Sequence, residues 1–421
     1  MRPFSRRFTP CTFQDLHLPE DNGLLVIAFD PYTYSQGKWL HRNEERQTAR
    51  KLHFNFEALL EVAVKRSEGA REVVSCEKRE GGFNRVFIIE FDNGVKVAAK
   101  VPMPYAGPTA LMTMSEVATL KYVRHKTHVP VPQVLAWSSK PESDSVGIEY
   151  IIMEHVSGVA LKDIWGQMTE LQHILIIESV GKLLKELCAL DFGALGSLYL
   201  NTADKPSGTL PVDEEYCVGP HCGRHLWGYQ DDHTTKAAVP TGLQGPYLTQ
   251  IGELTVAERE PSQTLAEDHL RLLETGLKTL EVVKNSMDPQ DARYPLLFHP
   301  DLHARNIFVD SNDPTQVLSV IDWQSTGIEP AVIHAVEQPD FAEEPLLDKT
   351  LDAEVTHDSH ELQAHAQRYG WVEEGRWDDV VHMYREEYAG FVKACVASRE
   401  ECETEEDAER KADKLWPFDL R

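Results

Sequence analysis

Three side chains with oxygen donors are gathered in the stretch from Leu296 to Gln324. Asp301 precedes Asn306 by five residues, and Asp322 follows an apolar run from Val317 to Ile321. The pattern predicts a loop, a strand, a turn and a second strand that bring the three side chains to one end. This set suits phosphoryl transfer, in which one carboxylate orients a hydroxyl and a carboxylate and an amide hold Mg²⁺. The simpler interpretation is a polar hairpin capped by Asp and Asn.

On these roles, Asp301 is the candidate catalytic base, and Asn306 and Asp322 are the candidate metal ligands. A cation for the phosphates is available upstream, at the end of a predicted strand from Val95 to Val101. Alternation places Lys100 on an otherwise apolar face, where a charge needs a partner. Glu116 supplies that partner if the next helix starts near Thr109, but it is a capping-box acid if the helix starts near Thr113. We favour the ion pair, because Lys, Glu, Asp, Asn and Asp then form a complete set.

Adjacent glycines precede that strand, between two other predicted strands. Here the backbone can approach a phosphate closely, although Gly-Gly in a hairpin is usually only a turn. The candidate nucleotide contacts in this turn are Gly81, Gly82, Phe83 and Asn84. Asp92, Asn93 and Gly94 form a strong hairpin signal further on.

Composition limits the class of protein. The chain has 421 residues, 42% of them apolar, and a formal net charge of −26. The charge argues against a nucleic-acid or anionic-membrane partner, which would require clustered Lys and Arg. No apolar run approaches the roughly 20 residues of a membrane span. Seven scattered cysteines favour free thiols in a reducing compartment.

Several segments have simpler expectations. Asn55 is predicted to cap a helix, and Thr169 to open another through a capping box. The apolar stripe of this second helix, which we expect to be core, comprises Ile174, Ile177, Leu183, Leu184 and Leu187. Cys217, His221, Cys222 and His225 could hold zinc, but their spacing matches no common finger and we interpret the segment as a loop. Further helices are predicted over 254–286, 361–369, 377–397 and 400–414.

Taken together, the motifs resemble those of the aminoglycoside phosphotransferase and protein-kinase-like superfamily, with a closer likeness to fungal altered-inheritance-of-mitochondria proteins. The likeness covers roughly residues 36 to 400. It rests on EGGFNRVF (80–87), VAAK (97–100), SEVATLKYVR (115–124), YIIMEHVSG (150–158), HPDLHARN (299–306) and IDWQ (321–324).

The resemblance implies an α+β fold of the bilobal protein-kinase-like type, with a small antiparallel-sheet N-lobe and a mostly helical C-lobe. It also implies ATP and Mg²⁺ between the lobes: Lys100 would hold the α/β-phosphates, Glu116 would orient it, and the backbone of Glu154 to Val156 would face adenine. On local evidence, that last segment is equally well a plain strand end. Asp322 is followed by Trp323 and Gln324 rather than Phe-Gly, so protein-kinase-style switching is not expected.

The expected domain boundaries follow from this likeness. They are a variable leader at 1–35, an extension with a helix at 36–70, the N-lobe at 71–155, the C-lobe with the catalytic loop at 156–400 and a charged tail at 401–421. The leader contains Arg2, Arg6 and Arg7 and no acid before Asp15, which is typical of a mitochondrial presequence. An ordinary basic tail on a cytoplasmic protein is the alternative.

The functional hypothesis is a kinase acting on a hydroxyl of an unidentified small molecule. The alternatives are a nucleotide-binding, pseudokinase-like mitochondrial maintenance protein and, less favoured, a protein kinase. The expected partners are ATP and the small-molecule acceptor, without nucleic acid and without a transmembrane segment.

Overall fold

A computed structural model describes residues 27–223, 294–334, 339–342, 371–397, 404, 410 and 412. The chain divides into two compact units. The first comprises Met1–Phe54, Lys78–Gly82 and Glu344–Arg421, and the second comprises Asn55–Glu77 and Phe83–Glu343. The helices predicted over 254–286 and 361–369 lie outside the described residues. In the described part of the chain, no helix has the length and apolar character needed to cross a membrane.

Strands and helices alternate irregularly along the chain, as the α+β class predicts. The strands are β1 Gly37–Trp39, β2 Val73–Glu80, β3 Asn84–Phe91, β4 Lys96–Pro102, β5 Val134–Ser138, β6 Tyr150–Glu154, β7 Val159–Ala160, β8 Ser197–Leu200, β9 Leu210–Pro211, β10 Tyr216–Gly219, β11 Pro295–Phe298, β12 Ile307–Val309, β13 Val317–Val320, β14 Gly327–Pro330 and β15 Trp371–Glu373. The α-helices are α1 Asn43–Ala49, α2 Phe56–Arg66, α3 Leu111–Lys126, α4 Leu161–Ile164, α5 Glu170–Cys188, α6 Ala331–His334 and α7 Trp377–Ala397. The predicted α+β class is confirmed.

In the first unit, β1 pairs antiparallel with β15, so residues more than 300 positions apart in sequence lie side by side. Lys38 and Glu374 form an ion pair at 2.7 Å beside this ribbon. The Trp371 indole N–H donates to the Tyr34 hydroxyl at 2.9 Å, which ties the ribbon to the segment before β1.

Five strands form one sheet in the order β2-β3-β4-β6-β5, and all of it except Lys78 to Glu80 at the end of β2 belongs to the second unit. The hairpin predicted between β3 and β4 is present, since Gly94 has φ 79° and its N–H donates to Phe91 at 2.9 Å. The registers of β4 pair Lys100 with Val86 on one side and with Ile151 on the other. Lys100 therefore lies in the middle of the sheet, where neighbouring strands fix its position.

Two helices accompany this sheet. Helix α2 begins after Asn55, whose side chain accepts from the Ala58 N–H at 3.1 Å, as the sequence predicts. Helix α3 is buried along most of its length and carries Glu116 in its second turn. Because α3 starts at Leu111, Glu116 lies inside the helix and is not a capping-box acid.

The rest of the described second unit holds small sheets and the long helix α5. Strand β12 pairs antiparallel with β13, with Ile307 opposite Val320. The loop, strand, turn and strand predicted for this stretch are therefore present, and Asn306 and Ile321 lie at the same end. The other small sheets are β8-β10-β9 and β11-β14, and β7 extends the β12–β13 pair.

Helix α5 starts with the predicted capping box between Thr169 and Gln172. Its buried face differs from the predicted stripe. Leu187 is buried and Leu183 and Leu184 pack against the core, but Ile174 and Ile177 are exposed and Ile176 and Val180 are buried instead. That part of the prediction is wrong, because this helix offers apolar residues on more than one face and packing chooses between them.

Candidate active site

Lys100 forms two short ion pairs. Its ammonium lies 2.7 Å from Glu116 Oε1 on α3 and 2.7 Å from Asp322 Oδ1 after β13. The side chains of Lys100 and Glu116 are only 7% and 3% exposed, whereas Asp322 is partly open to solvent. The predicted pairing of Lys100 with Glu116 is therefore present, and the same ammonium reaches the candidate metal ligand.

The charges of the three groups are coupled. Burial disfavours the charged form of Lys100, but the carboxylates of Asp322 and Glu116 outweigh it and raise its pKa. Burial likewise acts against ionised Asp322, yet the Lys100 ammonium holds the pKa of that carboxyl below its usual value. For Glu116, burial dominates and raises the pKa despite Lys100. The ammonium and the Asp322 carboxylate are thus both charged at neutral pH.

The backbone at Asp322 has a left-handed conformation, with φ 65°. Asp is one of the few residues other than Gly that adopt it at modest cost. The next residue, Trp323, is buried, and its indole N–H donates to the Val320 carbonyl at 2.9 Å. The buried Trp323 thereby fixes the backbone next to Asp322, whose carboxylate points towards Lys100.

Helix α3 begins without a cap of its own. Ala110 has φ 61° and no capping side chain. Glu149, which precedes β6, replaces the cap: its carboxylate accepts from the Ala110 N–H and from the Thr113 hydroxyl, both at 2.7 Å. A buried carboxylate from a neighbouring segment thus fixes the first turn of the helix that carries Glu116.

Asp301 and Asn306 face each other across a short loop that ends in the 3₁₀ helix Ala304–Asn306. The Asn306 side-chain amide donates to the Asp301 carbonyl at 2.8 Å and to the Asp301 carboxylate at 2.9 Å. The Ile321 N–H donates to the Asn306 carbonyl at 2.9 Å. Direct hydrogen bonds therefore connect Asp301, Asn306 and the residue before Asp322.

His299 connects Asp301 to Ile321, the residue before Asp322. One ring nitrogen accepts from the Asp301 N–H at 3.1 Å, and the other contacts the Ile321 carbonyl at 2.9 Å, which requires it to donate. Burial lowers the pKa of His299, so the ring is neutral at physiological pH. The buried imidazole holds the backbones before Asp322 and at Asp301 at a fixed separation.

Two further groups contact the Asp301 carboxylate. Arg305 Nη2 lies 2.6 and 2.7 Å from its two oxygens, and His303 Nε2 lies 3.1 Å from one of them. The other His303 nitrogen faces Asp340 at 3.5 Å. Asp340 also accepts from the Ala304 N–H at 2.8 Å, so it anchors this loop.

The predicted nucleotide contacts near the glycines lie at the turn between β2 and β3. Arg79 and Glu80 belong to β2, so the turn before β3 is short. Gly81 and Gly82 are exposed, and a Cβ at Gly82 would meet nothing within 4 Å, so there is open space on that side of the Gly82 Cα. Phe83 is partly buried, and its carbonyl accepts from the Met103 N–H at 2.8 Å.

Asn84 is buried and engaged within the protein. It exchanges two side-chain hydrogen bonds with Gln324, at 2.7 and 3.1 Å. The two buried amides join the start of β3 to the segment that carries Asp322. The Asn84 side chain is therefore held by Gln324, and only its backbone is left to contact a nucleotide.

The predicted adenine contacts lie at and just after the end of β6. Glu154 is exposed, and its N–H donates to the Gln133 carbonyl at 2.9 Å. Val156 is partly buried, and among the described residues none accepts from its N–H. This segment therefore offers Val156 as a free backbone donor.

The oxygens at the site fit Mg²⁺. The Asn306 amide nitrogen faces Asp301, so its oxygen points elsewhere, and within the described ranges no group donates to it. Asp322 accepts from Lys100 through Oδ1, which leaves Oδ2 for a metal ion. A carboxylate and an amide oxygen are the hard donors that Mg²⁺ prefers, with phosphate and water oxygens completing the shell. A separate cluster of three or more His, Cys, Asp or Glu suited to a metal is absent from the described residues.

The alternative of a zinc site between Cys217 and His225 gains no support from the described residues. Cys217 and Cys222 are buried free thiols, and His221 lies 2.7 Å from Glu329. His225 lies outside the described residues.

Four residues of the site carry contacts that were not predicted: His299, Arg305, Gln324 and Glu149. His299 and Arg305 stand inside the motif HPDLHARN, so the motif could have identified them. The partners of Gln324 and Glu149 are distant in sequence and have no local signal.

A family model and several known proteins resemble the chain. The model of the APH family, the phosphotransferase enzyme family, matches residues 78–333. A subtelomeric hrmA-associated cluster protein of Aspergillus fumigatus is 29% identical over 344 residues, which are 68% of this chain and 65% of that protein. Altered inheritance of mitochondria protein 9, mitochondrial, of Debaryomyces hansenii is 22% identical over 302 residues, 60% of this chain and 47% of that protein. The chain thus spans 65% and 47% of the length of these two relatives.

Two solved aminoglycoside phosphotransferase structures resemble the chain at lower sequence identity. A ternary complex of APH(4)-Ia with ADP and hygromycin B has a TM-score of 0.38 and 15% identity, and covers 62% of this chain and 70% of its own. The streptomycin–ATP–APH(2″)-IIa ternary complex has a TM-score of 0.39 and 14% identity, and covers 85% of this chain and 86% of its own.

Proposed function

Because the chain belongs to the APH phosphotransferase enzyme family, as its motifs predict, we propose that it transfers the γ-phosphoryl group of ATP to a hydroxyl of a small molecule. The observation that carries this proposal is the arrangement of five side chains. Asn306 donates to the Asp301 carboxylate, and the Ile321 N–H, next to Asp322, donates to the Asn306 carbonyl. Lys100 forms ion pairs with both Glu116 and Asp322. Each group has the chemistry that one part of the transfer needs.

Each of these residues has its own role in the transfer. Asp301 orients the acceptor hydroxyl and receives its proton as the oxygen attacks the γ-phosphorus. The new O–P bond forms as the bond between the γ-phosphorus and the β–γ bridging oxygen breaks, and ADP leaves with that electron pair. Lys100, oriented by Glu116, neutralises phosphate charge, and Val156 offers its N–H to adenine. Asn306 and Asp322 would hold Mg²⁺, which would supply positive charge against the phosphate oxygens.

The test uses purified protein, ATP with Mg²⁺ and a metabolite extract, with transfer of labelled phosphate as the measurement. Asp301→Ala is expected to lower transfer by about 10²- to 10⁴-fold, the range for loss of a general base. Asp204→Ala removes an exposed carboxylate paired with Lys140 and serves as the control. Equal transfer by Asp301→Ala and wild type would overturn the proposal. Nucleotide-dependent melting shifts without any transfer would instead identify a nucleotide-binding, pseudokinase-like protein.

We further propose that the protein is mitochondrial. The support is the basic leader and the relatives named as mitochondrial proteins, at low identity. Residues 1–35 fused to a fluorescent protein in a fungal cell are expected to carry it into mitochondria. The same fusion with Arg2, Arg6 and Arg7 changed to Gln is expected to stay outside. A diffuse signal from the unaltered fusion would favour the cytoplasmic alternative.

A further inference from the structure

Three side chains crowd the Asp301 carboxylate. A carboxylate offers about four lone-pair sites. Arg305 donates to both oxygens, Asn306 donates to Oδ2, and His303 Nε2 lies 3.1 Å from Oδ1, where it covers the remaining space. A hydroxyl that is to give its proton to Asp301 needs one of these sites, so one of the three side chains must move to make room when the acceptor arrives.

Two of those side chains have a second polar neighbour. Asn306 is buried and also donates to the Asp301 carbonyl at 2.8 Å. His303 faces Asp340 through its other nitrogen, and Asp340 is fixed by the Ala304 N–H. Arg305 is different: its side chain is 54% exposed, and within the described ranges it donates hydrogen bonds only to Asp301. Arg305 is thus the donor that can leave at least cost.

A guanidinium that leaves a carboxylate keeps its charge, because arginine does not deprotonate in proteins. Its planar fork matches a phosphate or a carboxylate in two parallel hydrogen bonds. An anionic group that arrives beside Asp301 would therefore replace the contact that Arg305 gives up. A cationic group in the same place would be repelled by the Arg305 guanidinium.

We infer that the acceptor carries a phosphate or carboxylate group next to its reactive hydroxyl, and that Arg305 exchanges Asp301 for that group. The inference rests on the proposed function and narrows it from any small-molecule hydroxyl to a hydroxyl on an anionic molecule. The exchange frees Asp301 only when an acceptor of this class is bound, so Arg305 is a specificity-determining residue.

The γ-phosphate of ATP is a second source of the same anion chemistry, and occupation of the nucleotide site separates the two. Wild-type protein is saturated with Mg²⁺ and a non-hydrolysable ATP analogue, which fills the γ-phosphate position. It is then titrated with inorganic phosphate, glucose 6-phosphate and glycerol 3-phosphate, and with the neutral parents glucose and glycerol. Glucosamine is the cationic probe, and binding is measured by calorimetry.

At least one anionic probe is expected to bind, and to do so at least about 10-fold more tightly than its neutral parent or glucosamine, the scale of a charge-assisted hydrogen bond. Arg305→Gln is expected to abolish that preference, and Arg305→Lys, which keeps the charge but not the fork, to restore part of it. Arg71→Gln, at an exposed position before β2, is the matched control and is expected to bind like wild type.

The inference is wrong if anionic and neutral probes bind alike, or if the preference survives in Arg305→Gln. It is also wrong if Arg305-dependent anion binding occurs with ADP but disappears with the ATP analogue, because Arg305 would then serve the transferred phosphoryl group. Failure of the protein to bind the ATP analogue at all would overturn the proposed function, and the inference with it. Binding of the ATP analogue, which precedes the probe titrations, therefore distinguishes failure of the proposed function from failure of the inference.

Discussion

At the scale of single residues, the charge of Lys100 is the most constrained feature of the site. It lies in the middle of a sheet with one buried and one partly exposed carboxylate, each at 2.7 Å. Removing one partner of a buried ion pair costs more than the pair contributes, because an unpaired charge remains. The ammonium is thus required by the fold as well as by the proposed chemistry.

This coupling leads to a prediction for Lys100→Met. The variant leaves Glu116 buried without its cation, and we expect the free energy of unfolding to fall by about 3–5 kcal/mol. The double variant Lys100→Met/Glu116→Gln, which removes the stranded charge, is expected to recover part of that loss. Urea unfolding of both variants measures the difference. Equal stabilities would show that Glu116 is solvated or protonated in the single variant.

The residues that sequence could identify are those whose chemistry follows from local spacing. Asp301, Asn306 and Asp322 flank two short strands that pair, so their proximity follows from one hairpin. Lys100 with Glu116 was predictable from strand alternation and from the complete set that Lys, Glu, Asp, Asn and Asp then form. The amide pair of Asn84 with Gln324 was not, because 240 residues separate its members and either amide could have bonded to any nearby group.

At the scale of elements, the start of α3 determines where Glu116 points. Its first turn has neither a capping side chain nor a standard entry, since Ala110 has φ 61°. Glu149 supplies both hydrogen bonds from outside the helix. Periodicity predicted the helix but left its start open between Thr109 and Thr113, because the cap comes from a segment 36 to 39 residues away.

Glu149→Ala is therefore expected to loosen the start of α3. The loss leaves a buried N–H and a buried hydroxyl unsatisfied, and we expect a cost of about 1–3 kcal/mol in unfolding free energy. Hydrogen exchange should increase at the amides from Ala110 to Glu116. Glu142→Ala, an exposed acid in the preceding loop, is the control and is expected to leave both measurements unchanged. Unchanged exchange in Glu149→Ala would mean that packing alone fixes the helix start.

The Asn84–Gln324 pair joins β3 to the segment after β13, and a double-mutant cycle tests it. Asn84→Ala and Gln324→Ala each leave one buried amide without its partner, so each is expected to cost about 1–3 kcal/mol in unfolding free energy. The double variant should cost less than the sum, with a coupling of about 0.5–3 kcal/mol, as contacting pairs show. Additive losses would mean that the two amides act independently.

At the scale of the whole molecule, a net charge of −26 opposes the binding of a polyanion such as ATP. The site offsets this locally, with Lys100 and with the metal that Asn306 and Asp322 would hold. We therefore expect nucleotide to stabilise the protein only when Mg²⁺ is present, by about 2.7 kcal/mol at 100 times the dissociation constant. Thermal unfolding with ATP and Mg²⁺, and again with a chelator in excess, measures this.

Asp322→Asn separates the local contribution from the global one. It changes the overall charge by one unit and replaces the charged carboxylate of one proposed metal ligand by a neutral amide, so the Mg²⁺-dependent shift in melting temperature should fall sharply. Asp204→Asn makes the same change in charge at an exposed position and should keep the full shift. If both variants lose the shift equally, then overall charge governs nucleotide binding and Asp322 is not a metal ligand. If ATP with chelator stabilises wild type as well as ATP with Mg²⁺ does, then nucleotide binding needs no metal.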